Sequence, residues 1–238
     1  MDEIKKNDLS DLSFLKNITI VEDDENESDD FSAESVQENL KQQQYEKSGV
    51  YRKFFNVSLD NYIVKSDEEK TALEMCKKFI NDVRESFIKD IPSTNKILLL
   101  YGTYGTGKTH LSSSIVRELG GLYRTSSKLI LEYENCNNFK ATKNKIEMLD
   151  YYSSSNVLVI DEIGRGFKPD VEREVLMYII NQRYENDLPT VLVTNMIKEE
   201  LIKFLGYAIY DRLTECCTSI QFTGISKRGL TRNEKENS

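Results

Sequence analysis

The chain alternates between short runs of apolar residues and longer segments in which apolar residues recur at helical spacing. The apolar runs predict five strands, at residues 96–101, 121–126, 156–161, 190–194 and 217–222. The helically spaced segments predict helices at residues 67–89, 107–119, 127–136, 143–152, 170–186, 197–205 and 207–214, and residues 32–47 also have helical composition. Apolar strands separated by helices indicate a parallel sheet that helices cover on both faces, and therefore an α/β fold.

The N-terminal region differs from the rest of the chain in pattern and in charge. A short apolar stretch precedes a run of acids at residues 22–30. Residues 1–50 hold 14 of the 40 acidic residues and 5 of the 32 basic ones, so the remainder is nearly neutral. We expect an acidic, largely disordered arm at 1–49, a globular domain at 50–229 and a disordered tail at 230–238. The arm either only keeps the protein in solution or orders on a partner.

Bulk properties exclude several classes of protein. The spacing of Cys76, Cys136, Cys216 and Cys217, with His110 as the single histidine, is not typical of a zinc site, and we expect reduced structural thiols. The polar start lacks the apolar stretch of a secretory signal, and no apolar run is long enough to span a bilayer. We therefore expect a cytoplasmic protein with no membrane partner. The net charge of -8 decides nothing about nucleic acid, because the arm carries the excess acids.

A phosphate-binding loop follows the first predicted strand. The pattern G-x-x-x-x-G-K-[ST] is matched by Gly102, Thr103, Tyr104, Gly105, Thr106, Gly107, Lys108 and Thr109. Glycines let the backbone curl so that its N–H groups face phosphate oxygens at a helix N-terminus. Lys108 would reach the β- and γ-phosphates, and the Thr109 hydroxyl would bind Mg²⁺. The strand before it and the helix after it disfavour a mere glycine-rich turn, and we predict that residues 102–110, including His110, bind ATP.

Polar residues stand at the ends of two other predicted strands. Asp161 ends the strand 156–161 and Glu162 follows it, while Asn195 follows the strand 190–194. Ligands of a parallel sheet bind at the carboxyl ends of its strands. Asp161 would hold Mg²⁺, and Glu162 would orient or deprotonate the attacking water. Asn195 would hydrogen-bond the γ-phosphate or the water, or it would cap the next helix, and both interpretations stay open.

Several segments together resemble one known family. They are residues 105–111 (GTGKTHL), 158–164 (LVIDEIG), 193–195 (VTN), 180–184 (INQRY), 210–213 (YDRL) and 222–228 (FTGISKR). The chain resembles the DnaC/DnaI-type helicase loaders of bacteria and the similar IstB transposition ATPases over about residues 50–230. The resemblance implies a P-loop NTPase of the AAA+/ASCE type, with a five-stranded parallel sheet and little or no C-terminal lid.

The resemblance also implies roles for individual residues. It assigns the residues above to Walker A (Lys108, Thr109), Walker B (Asp161, Glu162) and sensor 1 (Asn195). Arg212 matches the arginine finger, which acts on ATP bound by a neighbouring subunit, and Arg228 matches the sensor 2 arginine. A guanidinium neutralises the charge that phosphoryl transfer spreads. The alternatives are a helix-surface pair with Asp211 or Glu215 for Arg212, and a tail charge for Arg228.

The family further implies partners and cofactors. They are a DnaB-type replicative helicase, single-stranded DNA, a second copy of the chain, ATP and Mg²⁺. Candidate DNA contacts are Arg124, Lys128, Tyr133, Phe139, Lys140, Lys143 and Lys145, unless they form an ordinary solvated face. Because little chain follows Arg228, the adenine would be recognised largely by the segment Phe54–Leu59. The short acidic N-terminal region leaves the mode of helicase docking open.

These expectations combine into one prediction of function. The chain would be a slow, regulated ATPase that loads a replicative helicase onto single-stranded DNA. The alternatives are an IstB-like transposition helper, an ATP-gated adaptor without hydrolysis and a P-loop kinase for small molecules. The kinase is disfavoured because Glu162 and Asn195 suit water as the nucleophile.

Overall fold

The predicted strands and helices are present in a computed structural model, which describes residues 33–89, 91, 95–138 and 143–226, without the side chains of residues 33–38. The strands are β1 (Ile97–Gly102), β2 (Leu122–Thr125), β3 (Leu158–Ile163), β4 (Thr190–Thr194) and β5 (Cys217–Phe222). The helices are α1 (Ala33–Lys47), α2 (Asp67–Lys89), α3 (Lys108–Leu119), α4 (Ser126–Asn135), α5 (Lys145–Ser153), α6 (Pro169–Glu185), α7 (Lys198–Leu205) and α8 (Tyr207–Cys216). Within this described part, no helix combines the length and apolarity that a membrane crossing requires.

The five strands form one parallel sheet in the order β2-β3-β4-β1-β5, which confirms the predicted α/β fold. The central strand β4 pairs with β1 on one side and with β3 on the other. β1 leads into the phosphate loop and β3 carries the two predicted acids. Because neighbouring parallel strands end at the same edge, the loops after β1, β4 and β3 lie side by side.

Helices cover both faces of the sheet. Leu98 and Leu100 of β1 point to the face covered by α2 and α3, whereas Ile97 and Leu99 point to the face covered by α4 to α8. Successive side chains of a strand alternate between faces, so a strand buried on both faces must be apolar at every position. The uninterrupted apolar runs of the sequence have this cause.

The folded unit begins earlier in the chain than the predicted boundary at residue 50. It starts at Gln37, and the side chains of Tyr45 and Ser48 are buried. The Ser48 carbonyl oxygen accepts a hydrogen bond from the Tyr123 N–H at 2.9 Å, which covers the outer edge of β2. The folded part therefore includes residues that the sequence assigned to the arm. Residues 1–32 of the arm and the whole tail lie outside the described residues, as does any lid beyond residue 226.

The four cysteines are free thiols. Cys76 and Cys216 are buried, and Cys136 and Cys217 are half-buried. Burial raises the pKa of the Cys76 and Cys217 thiols to about 12, so both stay protonated at neutral pH. Their environment is that of small core side chains, as the sequence predicts.

Candidate active site

The phosphate loop between β1 and α3 has a backbone that only glycine adopts without strain. Gly102, Gly105 and Gly107 have φ angles of 115°, 75° and 99°. A Cβ on Gly102 would lie 2.2 Å from the Phe222 carbonyl oxygen, and one on Gly107 would lie 2.8 Å from the Tyr62 ring. The end of β5 and the segment before α2 therefore enclose the loop, and the glycines of the motif serve both its curl and this close packing.

Lys108 begins α3 and turns its ammonium group into the curve of the loop. The side chain is nearly buried, with 5% of the residue exposed. Its Nζ donates to the Gly102 carbonyl at 2.9 Å and to the Thr103 carbonyl. A buried ammonium needs acceptors, and these carbonyls supply them at the place where phosphate oxygens would bind. The arrangement fits the predicted role of Lys108 in holding ATP.

The Asp161 carboxylate is 3% exposed and accepts three hydrogen bonds. Its Oδ2 accepts from the Thr109 hydroxyl at 2.9 Å and from the Tyr123 hydroxyl. Its Oδ1 accepts from the Glu162 N–H at 2.6 Å. Because the hydroxyl of the phosphate loop touches the carboxylate of β3, one Mg²⁺ with its water shell could contact both. The donor set of hydroxyl and carboxylate oxygens fits Mg²⁺.

β3 contains a bulge at the two predicted acids. It pairs with β4 through Ile160 and Leu192 and again through Ile163 and Thr194, so two residues of β3 face one of β4. The half-buried Glu162 has a φ of 60°, which is unusual for a residue with a side chain. Bulges redirect side chains beside active sites. The prediction that the strand ends at Asp161 is wrong, because the strand continues through the bulge to Ile163.

Glu172, which sequence reasoning missed, holds the loop that follows β3. It lies in the first turn of α6 and is fully buried. Its carboxylate accepts from the Gly164 and Gly166 N–H groups, both at 2.8 Å, and from the Ser126 hydroxyl. These contacts fix the chain directly after Glu162. The sequence offers only an acid in the first turn of a helix, which is common and carries no functional signal.

Tyr62, in the segment before α2, and His110, on α3, pack against each other beside the phosphate loop. Their rings meet edge to face at 5.3 Å, and the Tyr62 hydroxyl donates to the Thr106 carbonyl at 3.4 Å. The His110 Nε2 lies 2.9 Å from the Ser58 carbonyl oxygen. The segment Phe54–Leu59 therefore reaches α3 through Ser58, while Tyr62 beyond it contacts the loop itself.

Asn195 follows the central strand β4 at the same edge of the sheet. The helix α7 begins at Lys198, and the residue that precedes it is Ile197. The interpretation of Asn195 as the cap of this helix is therefore wrong. Asn195 is half-buried between the loops after β1 and β3, where the predicted contact with phosphate or water stays a prediction.

Arg212 is not brought to the phosphate loop of its own chain. It lies half-buried on α8, where its guanidinium donates to the Asn181 side-chain carbonyl and lies 5.6 Å from the centre of the Tyr184 ring. Both partners belong to α6. The contacts of Arg212 are thus with a neighbouring helix and not with Asp211 or Glu215, the pairs considered from the sequence.

The candidate DNA contacts separate into structural and exposed residues. The Arg124 side chain is only 14% exposed and donates to the Tyr152 hydroxyl at 2.8 Å and the Ser48 carbonyl at 2.9 Å. It therefore ties the N-terminal segment to the domain. Lys143 is exposed and lies 4.0 Å from the centre of the exposed Tyr151 ring. The other described candidates lie on α4 or α5: Lys128, Tyr133 and Lys145. Outside the described residues lie Phe139, Lys140 and Arg228.

Comparisons with known proteins agree with this fold. The sequence model of IstB-like ATP binding proteins matches residues 70–235. The replicative helicase loader DnaC of Escherichia coli K12 is 30% identical over 178 residues, which are 72% of this chain and 69% of DnaC. The replicative helicase loader DnaI of Bacillus subtilis 168 is 28% identical over 130 residues, 51% of this chain and 41% of DnaI. A crystal structure of the DnaC helicase loader superimposes with a TM-score of 0.62 at 24% identity, covering 73% of this chain and 100% of that one.

Proposed function

This chain belongs to the family of IstB-like ATP-binding proteins and is a relative of the DnaC-type replicative helicase loaders, and on that premise we propose that it hydrolyses ATP with Mg²⁺ and loads a replicative helicase onto single-stranded DNA. One observation carries the proposal. The Thr109 hydroxyl of the phosphate loop lies 2.9 Å from the Asp161 carboxylate of β3, so the two sequence motifs meet where one Mg²⁺ could contact both.

Each residue of the strand ends has a distinct task in the proposed reaction. ATP would supply the phosphoryl group, and Mg²⁺ bound with it would neutralise part of the phosphate charge. Lys108 exchanges its two carbonyl acceptors for phosphate oxygens. Thr109 and Asp161 hold the metal and its water shell. Glu162, half-buried at the bulge, orients the attacking water and accepts its proton, and Asn195 hydrogen-bonds the water or the γ-phosphate.

We infer that the residues contacting adenine lie slightly further along the chain than Phe54–Leu59. Tyr62 contacts the phosphate loop, and the two apolar residues after it, Ile63 and Val64, are exposed. An apolar surface next to a phosphate site is suited to the face of a base. We assign the adenine contact to this extension of the predicted segment.

The environment of Arg212 supports catalysis between subunits. Its guanidinium contacts a neutral amide oxygen and an aromatic ring, and neither neutralises its charge. A phosphate from a neighbouring copy would therefore meet a cation that forms no direct ion pair within the described residues. Assembly in a head-to-tail manner would bring Arg212 of one copy to the phosphate loop of the next.

The first experiment measures ATP hydrolysis, alone and with single-stranded DNA, by the wild type, Glu162→Gln, Arg212→Ala and an equal mixture of the two variants. Each variant alone should be inactive, because each lacks one half of every shared site. In the mixture roughly a quarter of the interfaces combine an intact Glu162 with an intact Arg212, so activity should partly return. Arg173→Ala is the matched control, because Arg173 is an exposed arginine whose one ion pair among the described residues is with Asp170.

The outcomes separate the parts of the proposal. Wild-type protein that binds ATP without turnover would rule out hydrolysis and leave an ATP-gated adaptor. A mixture that stays inactive would rule out the arginine acting between subunits. A cytoplasmic location stays a prediction that these measurements do not address.

The matching family model favours one second candidate, a helper ATPase that acts with a transposase. Purified protein is mixed either with a hexameric replicative helicase or with a transposase, and each complex is assayed on circular single-stranded DNA that carries an annealed oligonucleotide. Strand unwinding that requires this protein and the helicase would support loading. Binding to the transposase alone would replace the helicase proposal.

A further inference from the structure

The side chain of Tyr123 connects the edge strand β2 to the proposed metal site. β2 pairs with β3, with Tyr123 opposite Val159 and Thr125 opposite Asp161. Only 1% of Tyr123 is exposed. Its hydroxyl donates to Asp161 Oδ2, the same oxygen that accepts from the Thr109 hydroxyl. None of the roles assigned above uses this buried phenol.

We propose that Tyr123 is a positioning residue for Mg²⁺: its hydroxyl holds the Asp161 carboxylate in the orientation in which Asp161 and Thr109 share the ion. The inference rests on the proposed function, because it concerns the metal of the same site. It adds a residue that lies outside both the phosphate loop and β3.

The hydrogen bonds of Asp161 explain why a third donor matters. The Glu162 N–H fixes Oδ1 at 2.6 Å, and this bond alone leaves the carboxylate free to rotate about it. The Thr109 hydroxyl also serves as a predicted metal ligand, so its bond to Oδ2 must adjust when the ion binds. The Tyr123 hydroxyl has no such second task. It can hold Oδ2 in the same place before and after Mg²⁺ binds, as outer partners of metal ligands generally do.

Tyr123 is itself held in place from two sides. Its N–H donates to the Ser48 carbonyl at 2.9 Å, and its ring meets the Tyr51 ring edge to face at 6.5 Å. The phenol has a single O–H donor, and it is directed at Asp161 Oδ2. The phenol therefore presents a fixed donor to Asp161.

The test removes only the hydroxyl, in Tyr123→Phe, and measures how Mg²⁺ changes nucleotide affinity. A fluorescent ATP analogue is titrated against the full-length chain in EDTA and at increasing Mg²⁺ concentrations. Loss of an outer partner of a metal ligand typically weakens metal binding by 10–100-fold, so the Mg²⁺ concentration for half-maximal effect should rise about tenfold. Affinity in EDTA should equal that of the wild type, because the phosphate loop is untouched.

Tyr45→Phe is the matched control. Tyr45 is also buried, and its hydroxyl donates to the Phe54 backbone carbonyl at 2.9 Å, away from Asp161. It should lose a similar hydrogen bond and keep the wild-type dependence on Mg²⁺. Thermal unfolding with a non-hydrolysable ATP analogue gives a second measurement, in which added Mg²⁺ should raise the melting temperature of Tyr123→Phe less than that of Tyr45→Phe.

Two outcomes would overturn the inference while leaving the proposed function intact. One is a Tyr123→Phe protein with wild-type Mg²⁺ dependence. The other is an equal change in Tyr123→Phe and Tyr45→Phe, which would reduce the effect to a loss of core stability. Wild-type protein that binds nucleotide without any dependence on Mg²⁺ would overturn the metal site of the proposed function together with the role of Tyr123.

Discussion

The strand ends and the face formed by α6 and α8 carry residues proposed for one reaction, but their surroundings differ. At the strand ends, Lys108, Thr109 and Asp161 are bonded to groups of their own chain, and Lys108 and Asp161 are buried. On the α6–α8 face, Arg212 is half-buried and contacts a neutral amide. Under the proposed function, one chain would position phosphate and metal, whereas the last positive charge would come from a second chain.

Arg183 on α6, compared with Arg212 on α8, shows that a positive charge by itself does not mark a functional residue. Arg183 is 0% exposed, and its guanidinium donates to the Thr190 hydroxyl at 2.8 Å and to backbone carbonyls that include those of Ser155 and Pro189. It joins α6 to the loops before β3 and β4. Arg183 is therefore structural, although Tyr184, the next residue, contacts Arg212.

The largest effect should come from Arg212→Ala, which removes the half of the site that another chain supplies. Arginine fingers contribute about 10³–10⁵-fold to turnover, so hydrolysis should fall by at least about a thousandfold. ATP affinity should change little, because the strand ends stay intact. For the wild type, the rate of hydrolysis should increase more than in proportion to the protein concentration. A wild-type turnover per chain that stays constant on dilution would contradict the need for a second chain.

The next largest effect concerns stability and distinguishes the two arginines. Arg183→Met leaves several buried carbonyls without a donor, and breaking such a network costs about 3–5 kcal/mol of unfolding free energy. Arg212→Ala should cost less than about 1 kcal/mol, because its group is half-exposed. Urea unfolding followed by circular dichroism measures both, with Arg173→Met as a surface control. Equal losses for Arg183 and Arg212 would mean that both arginines are structural.

An intermediate effect should follow from Glu172→Gln, which tests whether the strand ends are held by a buried carboxylate. The amide retains one acceptor oxygen for the two glycine N–H groups and turns its NH₂ toward one of them. We expect a loss of about 1–3 kcal/mol in stability and a fall in turnover, with unchanged ATP affinity. Urea unfolding and single-turnover hydrolysis measure the two. Turnover equal to the wild type would show that the loop after Glu162 needs no such support.

The smallest effect should come from Lys143→Ala, on a surface that belongs to neither region of the comparison. Lys143 lies over the exposed Tyr151 ring. If Lys143 contacts a DNA phosphate, its loss should weaken DNA binding by a few-fold and lower the salt slope of the affinity by about one. Fluorescence anisotropy with labelled single-stranded DNA at several salt concentrations measures this. Lys70→Ala on α2 is the surface control. Identical DNA affinity in both variants would remove this surface from the DNA interface.

Much of the fold could be predicted because its signals are local. Apolar runs and helical spacing located the strands and helices to within two residues, including the β4 boundaries at Thr190 and Thr194. The phosphate loop was equally readable, since its glycines, Lys108 and Thr109 lie within eight consecutive positions. The strand-end pattern also marked Asn195, whereas the role of Arg212 came only from resemblance to a family.

The missed features depend on contacts between distant parts of the chain. Tyr123 and Asp161 are 38 residues apart, and Ser126 and Glu172 are 46 apart. The bulge at Glu162 exists only because β3 and β4 pair in a particular register. Tyr45 and Ser48 follow an acidic run, yet both are buried: the Ser48 carbonyl pairs with the edge of β2, and the Tyr45 hydroxyl donates to the Phe54 carbonyl. None of these contacts leaves a periodic signal in the sequence.

The sequence by itself determined the class of fold, the order of its elements and the residues that could bind phosphate and Mg²⁺. Periodicity indicates whether a position is buried, and a short motif determines its own backbone conformation. Both signals can therefore be recognised from the sequence alone. The tertiary structure decided that β4 separates β1 from β3, that Tyr123 bonds to Asp161 and Glu172 to the loop after Glu162, and that Arg212 contacts α6. Those choices depend on strand order and register, which bring residues together only after the chain has folded.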